Sequence, residues 1–257
     1  MDRLHLAFHC NGMNLAGTLD NAPGTTGLLV VTGGQEPRCG ALGWQARLAR
    51  EISSAGFPVF RFDRRGIGDS DGEDRGFERS SADIAAALRA FRALVPQMTR
   101  VTGFGNCDGA SALMLTEGLG FDGLVLSNPW TFDEGDEDLP SPASVRARYR
   151  SKLSRPSELI RLVTGKVSLG KLVHGMKQAT RSGQETSRLS ISLRDAVGGF
   201  DGRVRFLVAE NDRTAQAFVQ NWPADERILT CAGAGHAYAE PEARDWLRTQ
   251  VLASLRA

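Results

Sequence analysis

The sequence predicts an α/β fold in which helices flank a mostly parallel, doubly wound sheet of about eight strands. Three observations support this prediction. Short apolar runs alternate with segments of helical periodicity along most of the chain. Several of these runs end directly in glycine or polar residues, as buried parallel strands do where they enter a loop. The alternation stops once, over residues 130–197, which predicts an inserted helical cap between the core segments 1–129 and 198–257.

The predicted strands differ in pattern between the edge and the centre of the sheet. Met13–Asp20 alternates apolar and polar residues, which is typical of a strand at the antiparallel edge. Apolar runs predict the other strands, within Gly27–Gly34, Phe57–Asp63, Arg100–Gly105, Gly123–Pro129, Arg203–Asp212 and Glu226–His236. Helical spacing predicts helices over Trp44–Ala55, Ser81–Pro96, Cys107–Gly120 and after Pro241. In such a sheet, ligands bind beyond the carboxyl ends of the strands.

The composition is that of an ordinary globular protein. Of 257 residues, 41% are hydrophobic and 24% are charged, and a net charge of +1 gives no indication of nucleic-acid or membrane binding. No apolar run approaches the roughly 20 residues of a membrane span, and no signal peptide is visible. The four cysteines lack metal-ligand or disulfide spacing, so we expect a reduced, cytoplasmic protein. No motif calls for a metal or an organic cofactor.

The segment Gly105–Gly109, which reads GNCDG, lies between a predicted strand and a predicted helix. This is the glycine–x–nucleophile–x–glycine spacing of a nucleophile elbow, in which the glycines let the strand and the helix pass closely. The central residue is Cys107, where serine is usual. A thiol at a helix N-terminus is favoured as the thiolate by the helix dipole. Cys107 is therefore the predicted nucleophile, although a buried, inert cysteine in a tight turn is the alternative.

A nucleophile of this kind needs a base, and the base needs an orienting acid. His236 follows the last predicted strand, whereas His5 and His9 lie in the first strand and His174 lies in the predicted cap. The acid is expected at the end of the preceding strand. Asp212 lies there, with Glu210 held in reserve and a plain helix N-cap as the alternative role for Asp212.

The oxyanion hole of such a site requires two backbone N–H donors. One is expected from Asp108, the residue after the nucleophile, and the other from the loop that follows the Gly27–Gly34 run. In that loop the candidate donors are Gln35 and Gly34. The prediction depends on backbone groups, so it does not require particular side chains at these positions.

These motifs, in the order nucleophile, acid, histidine, resemble those of the α/β-hydrolase superfamily over nearly the whole chain. The resemblance implies an α/β-hydrolase fold. The segment FDRRGIGDSDG is also similar to a loop common in that superfamily, and we interpret this loop as structural.

A narrower resemblance rests on GNCDGASAL, SNPW and the cap sequence. It is to the family called exosortase A system-associated hydrolase 1, and it implies a bacterial hydrolase with a cysteine–histidine–acid triad near exosortase and exopolysaccharide genes.

The predicted cap carries an unusual charge. Between residues 146 and 194 there are twelve lysines and arginines and two acidic residues, after an acidic run at residues 133–138. One interpretation is a solvated lid, and the other is a surface that attracts an anionic acyl substrate such as an acyl carrier or a coenzyme A thioester. Trp130 and Tyr149, together with Phe132, are candidates to line an acyl pocket, and a core role is the alternative.

The leading functional hypothesis is a cysteine-dependent hydrolase or acyltransferase of small or carrier-bound esters or thioesters. Two alternatives remain. The first is a non-catalytic binding or scaffold protein that keeps the fold. The second is a carbon–carbon hydrolase or a dehalogenase-like enzyme; the latter uses an aspartate nucleophile, and Asp108 is one residue out of register for it.

Overall fold

Eight strands form one sheet within residues 3–133 and 187–257, the parts of the chain that the computed structural model describes. Their order in the sheet is β1-β2-β4-β3-β5-β6-β7-β8. The strands are β1 (Arg3–Cys10), β2 (Met13–Asp20), β3 (Thr26–Val31), β4 (Val59–Phe62), β5 (Arg100–Asn106), β6 (Gly123–Ser127), β7 (Arg203–Ala209) and β8 (Ile228–Cys231). Strands β1, β2 and β4 are antiparallel neighbours, and β4, β3, β5, β6, β7 and β8 run parallel. The predicted mostly parallel sheet is confirmed.

Helices flank the sheet, and several of them are amphipathic with one apolar face turned to the core. The helices are α1 (Trp44–Ser54), α2 (Ser81–Leu94), α3 (Asp108–Met114), α4 (Arg188–Gly198), α5 (Arg213–Asn221) and α6 (Pro241–Arg256). Helix α1 buries Leu48 and Ile52, and α6 buries Leu247 and Val251, in each case about one turn apart on the same face. These side chains join a cluster with the central strands, which fixes the strand ends where the loops begin.

Strand register brings the loops after β5, β6 and β7 to one edge of the sheet. Asn106 pairs with Ser127 across β5 and β6, and Ser127 pairs with Leu207 across β6 and β7. Ala209 pairs with Cys231 at the ends of β7 and β8. Residues that follow these strand ends therefore share one edge, as expected for a parallel sheet.

Two predicted elements are shorter than expected, in each case because the backbone turns. The helix after the elbow ends at Met114, not at Gly120, since Glu117 and Gly118 adopt φ angles of 52° and 85°. Strand β6 ends at Ser127, not at Pro129, because Asn128 has a φ of 44°. Both segments are apolar enough to continue the pattern, and apolar periodicity does not reveal a left-handed residue.

The FDRRGIGDSDG segment forms a structural loop, as interpreted. The Asp63 carboxylate accepts a hydrogen bond from the backbone N–H of Asp69 over 3.0 Å, and it forms an ion pair with Arg38. The Ser70 hydroxyl donates to the carbonyl of Asp63 over 2.7 Å and accepts the N–H of Ala16 over 2.9 Å. These bonds tie the loop to β2 and to itself.

The chain divides into two compact units, residues 1–131 with 190–257, and residues 132–189. The predicted cap over residues 130–197 lies largely outside the described residues, so its boundaries and its helices stay a prediction. Tyr149, His174 and most of the basic side chains of the cap also lie there. No helix within residues 3–133 and 187–257 combines the length and the apolar character needed to cross a membrane.

Candidate active site

Cys107 occupies the turn between β5 and α3 with a φ of 59° and a ψ of −131°. A positive φ is uncommon for a residue with a side chain, and it persists only where neighbouring contacts enforce it. The N–H of Cys107 donates to the carbonyl of Ser127 over 3.0 Å, and its carbonyl accepts the N–H groups of Ala110 and Trp130 over 3.0 and 3.3 Å. The side chain is half-buried. The geometry is that of a nucleophile elbow.

Glycines allow the elbow to pack closely against its neighbours. A Cβ atom at Gly105 would lie 2.5 Å from the carbonyl of Gly109, and one at Gly109 would lie 2.5 Å from the carbonyl oxygen of Val31. A Cβ atom at Gly33 would lie 2.4 Å from the carbonyl oxygen of Asn106 and 3.0 Å from the Cβ atom of Cys107. Because these neighbours are mainly backbone atoms, alanine at any of the three positions requires a backbone shift. Gly33 thereby brings the loop after β3 against Cys107.

His236 and Asp212 lie together at the edge reached by β7 and β8. Asp212 Oδ2 lies 3.0 Å from His236 Nδ1. The Asp212 side chain is also the N-cap of α5, because the same oxygen accepts the N–H of Ala215 over 3.0 Å. The structure therefore places Asp212 both at the N-cap of α5 and beside His236, and its role as the acid stays a prediction. The reserve residue Glu210 is exposed, and its carboxylate accepts the N–H of Gly233 over 2.7 Å.

The electrostatics of His236 link the three predicted residues. Hydrogen bonds to Asp212 and then to Cys107 raise the pKa of His236 from 6.5 to about 10, while partial burial acts in the opposite direction. The His236 side chain is 40% exposed and that of Asp212 is 8% exposed. The imidazole thus lies between a buried carboxylate and the thiol, which is the arrangement that nucleophilic catalysis requires.

The predicted oxyanion donors have unequal surroundings. The N–H of Gly34 donates to Asp108 Oδ1 over 2.5 Å, and Asp108 Oδ2 lies 3.6 Å from Arg64 Nη2. Burial raises the pKa of the Asp108 carboxyl, and Arg64 acts against that rise. Gly34 can serve an oxyanion only after the Asp108 side chain moves. The N–H groups of Asp108 and Gln35 have no acceptor within the described residues, so they are free to donate to an oxyanion, and this role stays a prediction.

Trp130 lies directly beside the elbow. Its N–H donates to the carbonyl of Cys107 over 3.3 Å, and its carbonyl oxygen accepts the Ser111 hydroxyl over 2.7 Å. The indole is half-buried. This placement is compatible with the predicted contact to an acyl group, and it stays a prediction.

Two asparagines that the sequence analysis did not single out lie beside His236, and one of them, Asn106, reaches its imidazole. Asn106 Nδ2 lies 3.3 Å from His236 Nε2, and Asn128 Nδ2 donates to Asn106 Oδ1 over 3.0 Å. Each asparagine lies at the carboxyl end of a strand, and in the sequence only this position indicated that it could lie near the site. The sequence alone gave no reason to join residues on separate strands.

Comparisons with known proteins support the fold seen here. The model of a family described as the alpha/beta hydrolase family matches residues 28–249. An esterase of Pyrococcus furiosus superposes with a TM-score of 0.66 at 13% identity, covering 99% of this chain and 92% of that one. A Butyrivibrio proteoclasticus protein, Est1E, solved with ferulic acid bound, gives 0.62 at 15% identity, with 98% and 100% coverage. A Coxiella burnetii protein described as an alpha-beta serine hydrolase homologue gives 0.60 at 15% identity, with 99% and 98% coverage. A search of curated proteins gave no match.

Proposed function

Because the chain belongs to the alpha/beta hydrolase family, we propose that it is a cysteine-dependent esterase or thioesterase with Cys107, His236 and Asp212 as its catalytic triad. One observation carries this proposal. The thiol lies on the strained elbow and helps to raise the pKa of His236, and the Nδ1 atom of that imidazole lies 3.0 Å from a buried carboxylate. The P. furiosus protein, an esterase, has the same fold. The fold does not distinguish a serine from a cysteine nucleophile, so the cysteine chemistry depends on this site alone.

In the proposed reaction, the thiol proton of Cys107 passes to His236 Nε2, which the raised pKa of His236 favours, and Cys107 Sγ attacks the carbonyl carbon of the substrate to form a carbon–sulfur bond. The bond from the carbonyl carbon to the leaving oxygen or sulfur breaks, and His236 returns the proton to that leaving group. Water then gives a proton to His236 and its hydroxyl oxygen to the acyl carbon, the carbon–sulfur bond breaks, and His236 returns that proton to Cys107 Sγ. Asp212 holds Nδ1–H throughout and stabilises the imidazolium that forms. An acceptor alcohol or amine in place of water would give acyl transfer.

The proposal predicts a burst of product when the purified chain is mixed with an activated ester such as p-nitrophenyl acetate. The burst should equal one acyl group per chain if deacylation is the slower step. Iodoacetamide should modify Cys107 faster than the other cysteines and abolish the burst. Burial raises the pKa of Cys10 and Cys231 and so disfavours their thiolates, whereas Cys39 is exposed and serves as the internal standard. Alkylation of Cys107 at or below the rate of Cys39 would argue against the nucleophile assignment.

We further propose that the acyl substrate is anionic. The support is compositional: twelve basic against two acidic residues occur between residues 146 and 194 in a chain of net charge +1. The apparent KM for a coenzyme A thioester should rise by about tenfold between low salt and 0.5 M sodium chloride, because salt screens long-range attraction. The KM for p-nitrophenyl acetate, which carries no charge, is the control and should change little. Equal salt responses for both substrates would leave the basic segment without a role in binding.

The narrower resemblance to exosortase A system-associated hydrolase 1 adds a proposed context. It is supported by the strings GNCDGASAL and SNPW, which include the elbow and the start of the segment after β6. On this proposal the enzyme acts in the cytoplasm of a bacterium on an intermediate of polysaccharide or protein-sorting chemistry. Genes for exosortase or exopolysaccharide synthesis beside the gene for this chain would support it, and their absence would remove its basis.

A further inference from the structure

A buried row of amides leads from the backbone of β7 to the imidazole of His236. The N–H of Ala209 donates to Asn128 Oδ1 over 2.8 Å. Asn128 Nδ2 donates to Asn106 Oδ1 over 3.0 Å and to the carbonyl oxygen of His236 over 3.1 Å. Asn106 Nδ2 lies 3.3 Å from His236 Nε2. Both asparagines are buried, at 5% and 0% exposure, so these bonds are shielded from solvent.

The bond from the N–H of Ala209 to Asn128 determines which atom donates and which accepts in each later bond of the row. A backbone N–H can only donate, so the atom of Asn128 that faces Ala209 is its oxygen, and its amino group faces Asn106. That amino group needs an oxygen partner, which turns the amino group of Asn106 toward His236 Nε2. A ring nitrogen that faces an N–H donor is stabilised as an acceptor. The row therefore favours neutral imidazole with its proton on Nδ1, where Asp212 accepts it.

We infer that Asn106 is a positioning residue that selects the Nδ1–H tautomer of His236 and lowers its proton affinity, in opposition to Asp212. The inference rests on the proposed role of His236 as the base for Cys107. A base must be neutral before it accepts a proton, and the bond to Asp212 raises the pKa of His236. The amino group of Asn106 disfavours a proton on Nε2 and so limits this rise, while Asp212 stays in place to stabilise the imidazolium later in the reaction.

Among the residues that the structure describes, the titratable groups that face His236 come from two segments besides its own. Asp212 approaches from the loop after β7, and Cys107 approaches from the elbow. Tyr238, on the same loop as His236, is directed away toward Ser127, 3.0 Å from its hydroxyl, and toward Asn128. Replacing Cys107 therefore leaves Asp212, which raises the proton affinity of the imidazole, opposed by Asn106 and by partial burial.

The inference is tested by nuclear magnetic resonance titration of His236 in the Cys107→Ala background, without substrate. The chain has four histidines, and a His236→Gln variant assigns the signal. Asn106→Asp exchanges the amino group that faces Nε2 for an oxygen with almost no change of volume. It should raise the proton affinity of His236 by about tenfold or more, with Asn106→Ala between it and the parent. In the parent, the neutral ring should carry its proton on Nδ1.

Tyr238→Phe is the matched control, because it removes a buried hydroxyl next to Asn128 without changing the direction of the amide row. It should lower the thermal stability and leave the proton affinity of His236 unchanged. The inference is overturned if Asn106→Asp leaves or lowers that affinity, or if Tyr238→Phe raises it as much. An Nε2–H tautomer in the parent overturns it without any asparagine variant. Because the titration uses neither thiol nor substrate, its outcome is separate from that of the proposed function.

Discussion

Replacing Cys107 with alanine should lower kcat for hydrolysis of p-nitrophenyl acetate by at least about 10⁴-fold, because no other thiol or hydroxyl can take its place on the elbow. The residual rate comes from substrate binding and from the backbone N–H donors. The fold should survive, since the side chain is half-buried and its backbone bonds to Ser127, Ala110 and Trp130 are retained. Steady-state kinetics and circular dichroism of the purified variants measure both effects.

Two companion variants sharpen the interpretation of that loss. Cys39→Ala removes an exposed cysteine and should leave kcat unchanged. Cys107→Ser keeps a nucleophile of similar size, but a hydroxyl must lose its proton to His236 during attack, so activity should fall strongly without vanishing. A Cys107→Ala enzyme with more than a tenth of the parent activity would place the nucleophile elsewhere.

Replacing Asp212 with asparagine should lower kcat by about 10³- to 10⁴-fold, because an amide neither holds the Nδ1–H tautomer nor stabilises the imidazolium. Asparagine is as good an N-cap as aspartate, so the bond to Ala215 at the start of α5 is kept and helix stability is little affected. Glu210→Gln is the control, because that carboxylate contacts Gly233 and not His236. An equal loss in the two variants would contradict the assignment of Asp212.

The same variant should change how stability depends on pH. The pKa of His236 is raised in the folded chain to about 10 from 6.5, so its ion pair stabilises the fold fully below about pH 6.5 and loses that contribution as pH rises through 10. The stability difference between the parent and Asp212→Asn should therefore shrink over this window. With His236 40% exposed, we expect a difference of about 1 kcal/mol or less. Urea unfolding at several pH values measures it.

The fold and the order of the candidate site residues were predictable because they depend on local patterns. Buried strands such as β3 and β5 are continuous apolar runs, and the candidates Cys107, Asp212 and His236 lie in the loops that follow β5, β7 and β8. The elbow also has glycines at fixed positions in the sequence, because a Cβ atom at either position would clash, and this spacing can be recognised without a structure.

The parts that sequence reasoning missed depend on contacts between distant segments. Asn106 and Asn128 meet only because β5 and β6 pair in one register, and their direction is set by Ala209 on β7. Likewise, the carboxylate of Asp108 reaches Gly34 only because Gly33 lets the two loops approach. Neither contact has a local pattern, since a polar residue in a loop is equally typical of a solvated turn.

The measurement that tests the central claim most directly is mass spectrometry of the enzyme quenched with acid during the reaction with p-nitrophenyl acetate. We predict one acetyl group per chain, located by peptide fragmentation on Cys107. It should be absent from Cys107→Ala, and it should persist longer in Asp212→Asn than in the parent, because slower deacylation preserves the acyl-enzyme. An acetyl group on another residue in the parent, or turnover without any adduct under burst conditions, would contradict a cysteine-dependent triad.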